Sequence, residues 1–200
     1  MLLIGLGHKA RQGKNTVAVE MLNACPLDCA VHMLAFADGV RKETNTAIRQ
    51  AGGVRELIEG WQTAGIMPEW VRAESYPAKQ RTLLQWYGTD YRRGKDPDYW
   101  VKRMDQTLLD LLPDVAIITD VRFPNEAEYI RSRGGFNVQL IRTTPPDIVV
   151  PEHESEKALD GYRDWHYTIK AGNREELSRL ALDVFGRILV RHGLTSTNDR

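Results

Sequence analysis

The stretch Gly7-His8-Lys9-Ala10-Arg11-Gln12-Gly13-Lys14-Asn15-Thr16 constrains this chain more than any other. An apolar opening, Met1-Leu2-Leu3-Ile4, precedes it, and Val17-Ala18-Val19-Glu20-Met21-Leu22 continues it as a helix. Strand, glycine-bearing loop with a lysine, then helix is the setting that a phosphate-binding loop requires. The pattern G-x-x-x-x-G-K-[ST] is met at Gly13 and Lys14, but His8 stands at the first glycine. Asn15 stands where a hydroxyl is usual, and Thr16 brings the hydroxyl one residue later. The physics of an anion cradle survives both departures. Backbone N–H groups at a helix start are unpaired, and the helix dipole adds positive charge there. Gly13 lets the backbone approach an anion, and Lys14 adds a mobile point charge. A basic surface turn has similar letters; the place directly behind the first strand favours the cradle.

At 200 residues the chain is long enough for one domain with a well-formed core and a helical insertion. Lys and Arg total 27, as do Asp and Glu, so no overall field draws in nucleic acid or a membrane surface. Anion recognition must come from local clusters. Cys25 and Cys29 have no second pair and no histidine at zinc spacing, which reads as idle thiols in a reducing compartment. No signal-peptide core and no run of transmembrane length is present, so a cytoplasmic location is expected.

Short apolar runs alternate with longer amphipathic ones. Strands are expected at Leu2 to Leu6, Val31 to Phe36, Val115 to Thr119, Asn137 to Ile141 and His166 to Ile169. Helices are expected at Asn15 to Ala24, Pro124 to Arg133 and Arg174 to His192. This rhythm points to an α/β chain with a parallel sheet and helices on both faces. The first and third strands are nearly all apolar, as strands buried on both sides should be. The rhythm breaks over about 38–112, which carries helix-like segments and no good strand. We read it as a helical insertion within a single domain of 1–194, followed by a polar tail, 195–200. A second irregular stretch, about 142–157, with Pro145, Pro146 and Pro151, reads as a loop or lid.

Four further clusters carry polar chemistry. Asp120 and Arg122 lie at the end of the third strand, where open α/β sheets bind ligands, although Asp120 and Asn125 also suit turn and helix caps. Gln85, Thr89 and Arg93 share one face if their segment is an α-helix, and such a stripe fits a base or phosphate as well as a solvated face. Asp38 and Lys42 follow the second strand, with Asp38 equally suited to capping a helix. Asn173 lies in a turn before Arg174-Glu175-Glu176 and is a natural cap. Asp96 and Pro97 read as the cap and first residue of a helix in which Trp100 is core. Glu154 and Ser155 suit capping, and His153 a surface role.

Together these residues resemble the phage-type deoxynucleoside monophosphate kinases, a branch of the P-loop nucleoside monophosphate kinase fold. The resemblance rests on Lys9 to Thr16, Phe36-Ala37-Asp38, Leu84-Gln85 with Gly88-Thr89-Asp90 and Arg93, Asp98 with Trp100-Val101, Asp120 to Glu126, and His153 with Ser155-Glu156. It implies a three-layer fold with a five-stranded parallel sheet, a helical monophosphate-binding insertion and a lid. It implies ATP as phosphoryl donor and Mg²⁺, held through Arg11, Gly13, Lys14, Asn15, Thr16 and Asn173, with Thr16 and Asn15 facing the metal and adenine near Gly172-Asn173. The acceptor would meet Asp38, Lys42, Gln85, Thr89, Arg93, Asp120 and Arg122. Lys14, Arg93, Arg122 and Arg142 would offset charge during transfer. Its partners would be small-molecule nucleotides, not a nucleic acid polymer or a membrane, with a homodimer allowed and the host cytoplasm as location if viral. The rival expectations are a kinase of the same fold acting on dephospho-coenzyme A or phosphomevalonate, and a nucleotide-binding regulator without turnover. His8 is the departure to watch, since its side chain must point away from phosphates.

Overall fold

A computed structural model describes residues 1–26, 28–73, 80–144 and 154–194 of the chain. The chain divides into a sheet unit, Met1–Ala35 with Asp105–Arg200, and a helical unit, Phe36–Met104. The expected tail and most of the expected lid, with Pro145, Pro146, Pro151 and His153, lie outside the described residues.

The sheet unit is built on five parallel strands in the order β2-β3-β1-β4-β5. They are β1 (Leu2–Gly7), β2 (Val31–Leu34), β3 (Val115–Val121), β4 (Phe136–Arg142) and β5 (Tyr167–Ala171). β1 is buried at every position, which explains its unbroken apolar reading. Leu2, Ile4 and Leu6 face α1 (Lys14–Asn23) and α8 (Arg174–His192), packing with Val17, Met21, Val184, Phe185 and Ile188. Each such aliphatic side chain taken from water stabilises the fold by about 1.5–3 kcal/mol. On the other face lies α6 (Pro124–Ser132). It comes so close to β1 that a Cβ on Gly5 would sit 2.5 Å from Ile130 Cδ1.

The register between β1 and β3 shifts, from Gly5 opposite Ile118 to Gly7 opposite Val121. The extra residue on β3 is a bulge at the carboxyl end, next to Asp120. The capping of α6 differs from expectation. Asn125 lies inside the helix, and the Glu126 carboxylate, buried at 3% exposure, does the capping by accepting from the N–H groups of Arg122 (2.8 Å) and Phe123 (3.1 Å). Asn173 does cap α8, its Oδ1 accepting from the Glu176 N–H at 2.9 Å.

The helical unit holds α2 (Phe36–Ala51), α3 (Val54–Thr63), α4 (Arg81–Gln85), a π-helical segment Trp86–Arg93, and the start of α5 (Tyr99–Leu111). Three expectations are corrected here. Phe36 opens α2 and does not close β2, so Asp38 lies inside the first turn and is not its cap; it pairs with Arg41 at 2.9 Å. Asp96 and Pro97 precede α5, which starts at Tyr99; the Asp96 carboxylate forms a turn instead, accepting from the Asp98 N–H at 3.1 Å. Thr89 and Arg93 stand on π-helix, so the α-helical spacing on which their stripe with Gln85 was read does not apply.

The π-helical form has a visible cause. Its backbone ladder runs i to i+5, which brings residues five apart together. Trp86 and Tyr91 are such a pair, with ring centroids 5.1 Å apart, and so are Tyr87 and Arg92, joined from Nη2 to the phenol oxygen at 2.6 Å. Trp61 of α3 joins Trp86, Tyr87 and Tyr91 at centroid distances of 5.8, 6.0 and 6.5 Å. Beneath lies Glu43, which accepts from Tyr87 Oη (2.8 Å) and Tyr99 Oη (2.7 Å) and pairs with Arg92 at 2.8 Å. Burial alone would raise the Glu43 pKa; the two phenols and Arg92 outweigh it, holding the carboxyl below its usual range. Trp100 is core as expected, its Nε1 donating to the Gly88 carbonyl at 2.8 Å.

Candidate phosphate-binding site

The loop between β1 and α1 takes a strained path. Gly13 has φ of 85°, and a Cβ there would come within 2.5 Å of Leu177 Cδ2, so two separate constraints select glycine. His8 has φ of 87° and Arg11 of 60°, a region that side-chain-bearing residues seldom enter. The backbone at His8 thus follows the path a glycine would take. Its imidazole turns to Asp160, with Nε2 at 3.5 Å from Oδ1. Burial lowers the His8 pKa, Lys9 adds to this, and Asp160 opposes it.

Lys14 opens α1 and is only 8% exposed. Its Nζ donates to the carbonyl oxygens of His8 (3.1 Å) and Lys9 (2.5 Å), which fixes the ammonium inside the loop. Burial, seconded by the Arg122 charge, lowers its pKa to about 8, while Glu156 and Asp120 favour the charged form. A cation held at such cost to its own solvation is a group poised to meet an anion.

The strand order explains why these groups meet. The chain leaves β1 towards β2 on one side, whereas β3 and β4 both send it the other way. The carboxyl ends around β1 therefore frame the crevice in which open α/β sheets bind ligands. Asp120 and Arg122 come from the end of β3 and Arg142 from the end of β4. Arg122 Nη1 donates to Glu156 Oε1, and the Arg142 N–H donates to Gln12 Oε1. Arg142 Nε donates to Thr144 Oγ1 at 3.0 Å, and Thr144 Oγ1 to the Gly172 carbonyl at 3.0 Å. A cavity of about 220 Å³ lies beside the loop. Arg11, Gly13, Thr16, Arg142, Gly172 and Asn173 are among its lining residues.

The structure thus gathers Arg11, Gly13, Lys14, Thr16, Asp120, Arg122, Arg142 and Asn173 in the sheet unit. Asn15 sits in the first turn of α1 but is exposed. Asp38, Lys42, Gln85, Thr89 and Arg93 belong to the helical unit, with Asp38 and Lys42 exposed and the other three half-buried. Two polar partners escaped the sequence reading of roles. Gln12 was only a loop letter, and Glu156, given no role of its own beside the capping read for Glu154 and Ser155, accepts from the Ala10 N–H at 2.6 Å. The pairing of Ser155-Glu156 with the loop residues in one motif set was the available signal. Among the described residues, no three His, Cys, Asp or Glu side chains group to hold a metal, and no helix is long and apolar enough to cross a membrane.

The deoxynucleoside-5'-monophosphate kinase of Escherichia phage T5 is 29% identical over 111 residues, which is 52% of this chain and 44% of that one. The resemblance read from the motifs is borne out. The match nevertheless spans under half of that kinase's own length. Among solved structures, shikimate kinase from Acinetobacter baumannii in complex with shikimate aligns over 96% of this chain and 94% of its own. That alignment has a TM-score of 0.46 and 15% identity. No family model matches the chain. The five-stranded parallel sheet, with a lysine-bearing glycine loop behind its central strand, is the α/β arrangement that the sequence leads one to expect.

Proposed function

We propose that this chain is an ATP-dependent kinase of deoxynucleoside monophosphates, passing the terminal phosphoryl group to give a deoxynucleoside diphosphate and ADP. One observation carries the reading: Gly13 and Thr16 of the loop, Arg142 and Asn173 line one cavity, beside a buried Lys14 ammonium held within the same loop. The similarity to a phage kinase named for such substrates supports the acceptor class.

The chemistry asked of these residues is alignment and charge neutralisation. A monophosphate already presents an anionic oxygen near neutral pH, so no base need remove a proton. The loop amides and Lys14 hold the donor phosphates, with Arg11, Arg142 and the Asn173 turn beside them. Arg122 and Asp120 take their part at the end of β3. In the helical unit, Arg93 and Lys42 are the cations for the acceptor phosphate, and Gln85, Thr89 and Asp38 the polar groups for the nucleoside. Oxygen donors at Thr16 and Asp120, with Asn15 a weaker candidate, would hold magnesium, which would supply charge neutralisation for the phosphates.

An ADP-release assay over deoxy- and ribonucleoside monophosphates, dephospho-coenzyme A and phosphomevalonate tests the proposal. Release with at least one deoxynucleoside monophosphate, falling at least 100-fold in Lys14→Ala, is expected. Binding of ATP with no release from any monophosphate sinks it. Preferential turnover of dephospho-coenzyme A or phosphomevalonate redirects it to another acceptor.

A further inference from the structure

Glu156 stands on a single helical turn, α7 (Glu154–Lys157), and is nearly buried, with 13% of its side chain exposed. Both of its oxygens are engaged. Oε2 accepts the Ala10 N–H of the glycine loop at 2.6 Å, and Oε1 accepts Nη1 of Arg122 beyond β3. A loop amide and a planar guanidinium are both donors with which proteins hold phosphate oxygens. Here one carboxylate takes both, close enough to Lys14 to favour its charged form.

The tether of this turn fits a movable group. Leu159, 3% exposed, anchors the segment by apolar packing. Its links to the loop are polar: Glu156 to Ala10, and Asp160 to Lys9 (3.0 Å) and to His8 (3.5 Å). The anchor can stay in place while the carboxylate leaves.

We propose that Glu156 is an internal competitor for the phosphate site: its carboxylate holds the Ala10 amide and Arg122, and a phosphate must displace it to bind. The proposal rests on the loop being a phosphate cradle. A permanent brace, in which Glu156 orients Arg122 throughout, predicts the opposite sign. Removing a competitor tightens phosphate binding; removing a brace weakens it.

Titration calorimetry with inorganic tripolyphosphate, on full-length wild type, Glu156→Gln and Glu156→Asp, separates the two. The Asp variant keeps the charge but is one methylene too short to reach both donors. Both variants should bind tripolyphosphate about 3- to 10-fold tighter, the size expected from releasing charge-assisted hydrogen bonds. Unchanged or weaker binding by Glu156→Gln overturns the proposal. So does a gain in the Gln variant alone, which would mark a general charge effect. If Glu156→Gln does not fold, by thermal melting, the Asp variant decides by the same criterion. Failure of all three proteins, wild type included, to bind tripolyphosphate refutes the cradle itself; binding by wild type without a gain refutes only the competitor.

Discussion

Lys14 Nζ lies 2.5 Å from the carbonyl oxygen of Lys9, five residues earlier in the same loop. The ammonium thus closes the loop upon itself while remaining 8% exposed. Its pKa of about 8 stands against about 10.4 for an unfolded lysine. Between these values the unfolded chain binds more protons than the folded one, so stability must rise with pH across that window. Below pH 8 the full cost of burying the charge is present. Urea unfolding of wild type should show ΔG increasing from pH 8 to pH 10 by about 1–3 kcal/mol relative to Lys14→Met. Parallel pH profiles for the two proteins would contradict this.

Gly13 is fixed by a positive φ and by Leu177. Gly13→Ala should cost about 1–3 kcal/mol, as strain and overpacking combine. Shortening the neighbour in Gly13→Ala/Leu177→Ala relieves only the overpacking. A double-mutant cycle should therefore show favourable coupling without full recovery. Strict additivity would mean that the contact with Leu177 has no energetic weight.

His8 occupies a glycine-like conformation. His8→Gly should change the melting temperature little, because released backbone strain is offset by a more flexible unfolded chain and the lost contact with Asp160. His8→Val places a β-branched residue at positive φ and should lower stability by about 1–3 kcal/mol. Equal melting temperatures for the two variants would show the loop to be unstrained.

Glu43 joins two tyrosines and Arg92 beneath the π-helical segment. Glu43→Gln should destabilise by about 1–3 kcal/mol at neutral pH, since it weakens hydrogen bonds to a charged group. The carboxyl titrates below its usual range, so its contribution is present above the unfolded pKa of about 4.3 and lost as pH falls through the lower folded value. The gap between wild type and variant should shrink on acidification from pH 5 to 3. A gap of constant size would rule out a charge-linked role.

How far the fold was legible depended on how local its causes are. β1 and β3 were readable because both faces of each are buried, leaving a continuous apolar run. α8 was readable to the residue, from Asn173 as cap to His192, with Gly193 in the left-handed region beyond it. Phe36 misled because an apolar ring is buried equally well at the end of a strand or the start of a helix. The π-helix was missed because its i, i+5 pairs are read only once that form is considered, and because Trp61, outside the segment, also meets Trp86 and Tyr91. In the site, Gly13 and Lys14 announced themselves by spacing. Glu156 could not, because its partner Ala10 lies 146 residues away in sequence.

The central place of β1 also dictates an order of assembly. Its neighbours are β3 and β4, so Leu2 waits for Val115 and Ile4 for Phe136. β1 is thus unable to pair until β3 or β4, far along the chain, has followed it. Non-local pairing of this kind is slow, and it leaves the apolar Leu2–Gly7 segment open to wrong partners in the meantime. Amide protection during refolding should accordingly appear in α2 and α5 before it appears in β1, making the loop that begins at His8 one of the last parts of the molecule to take shape.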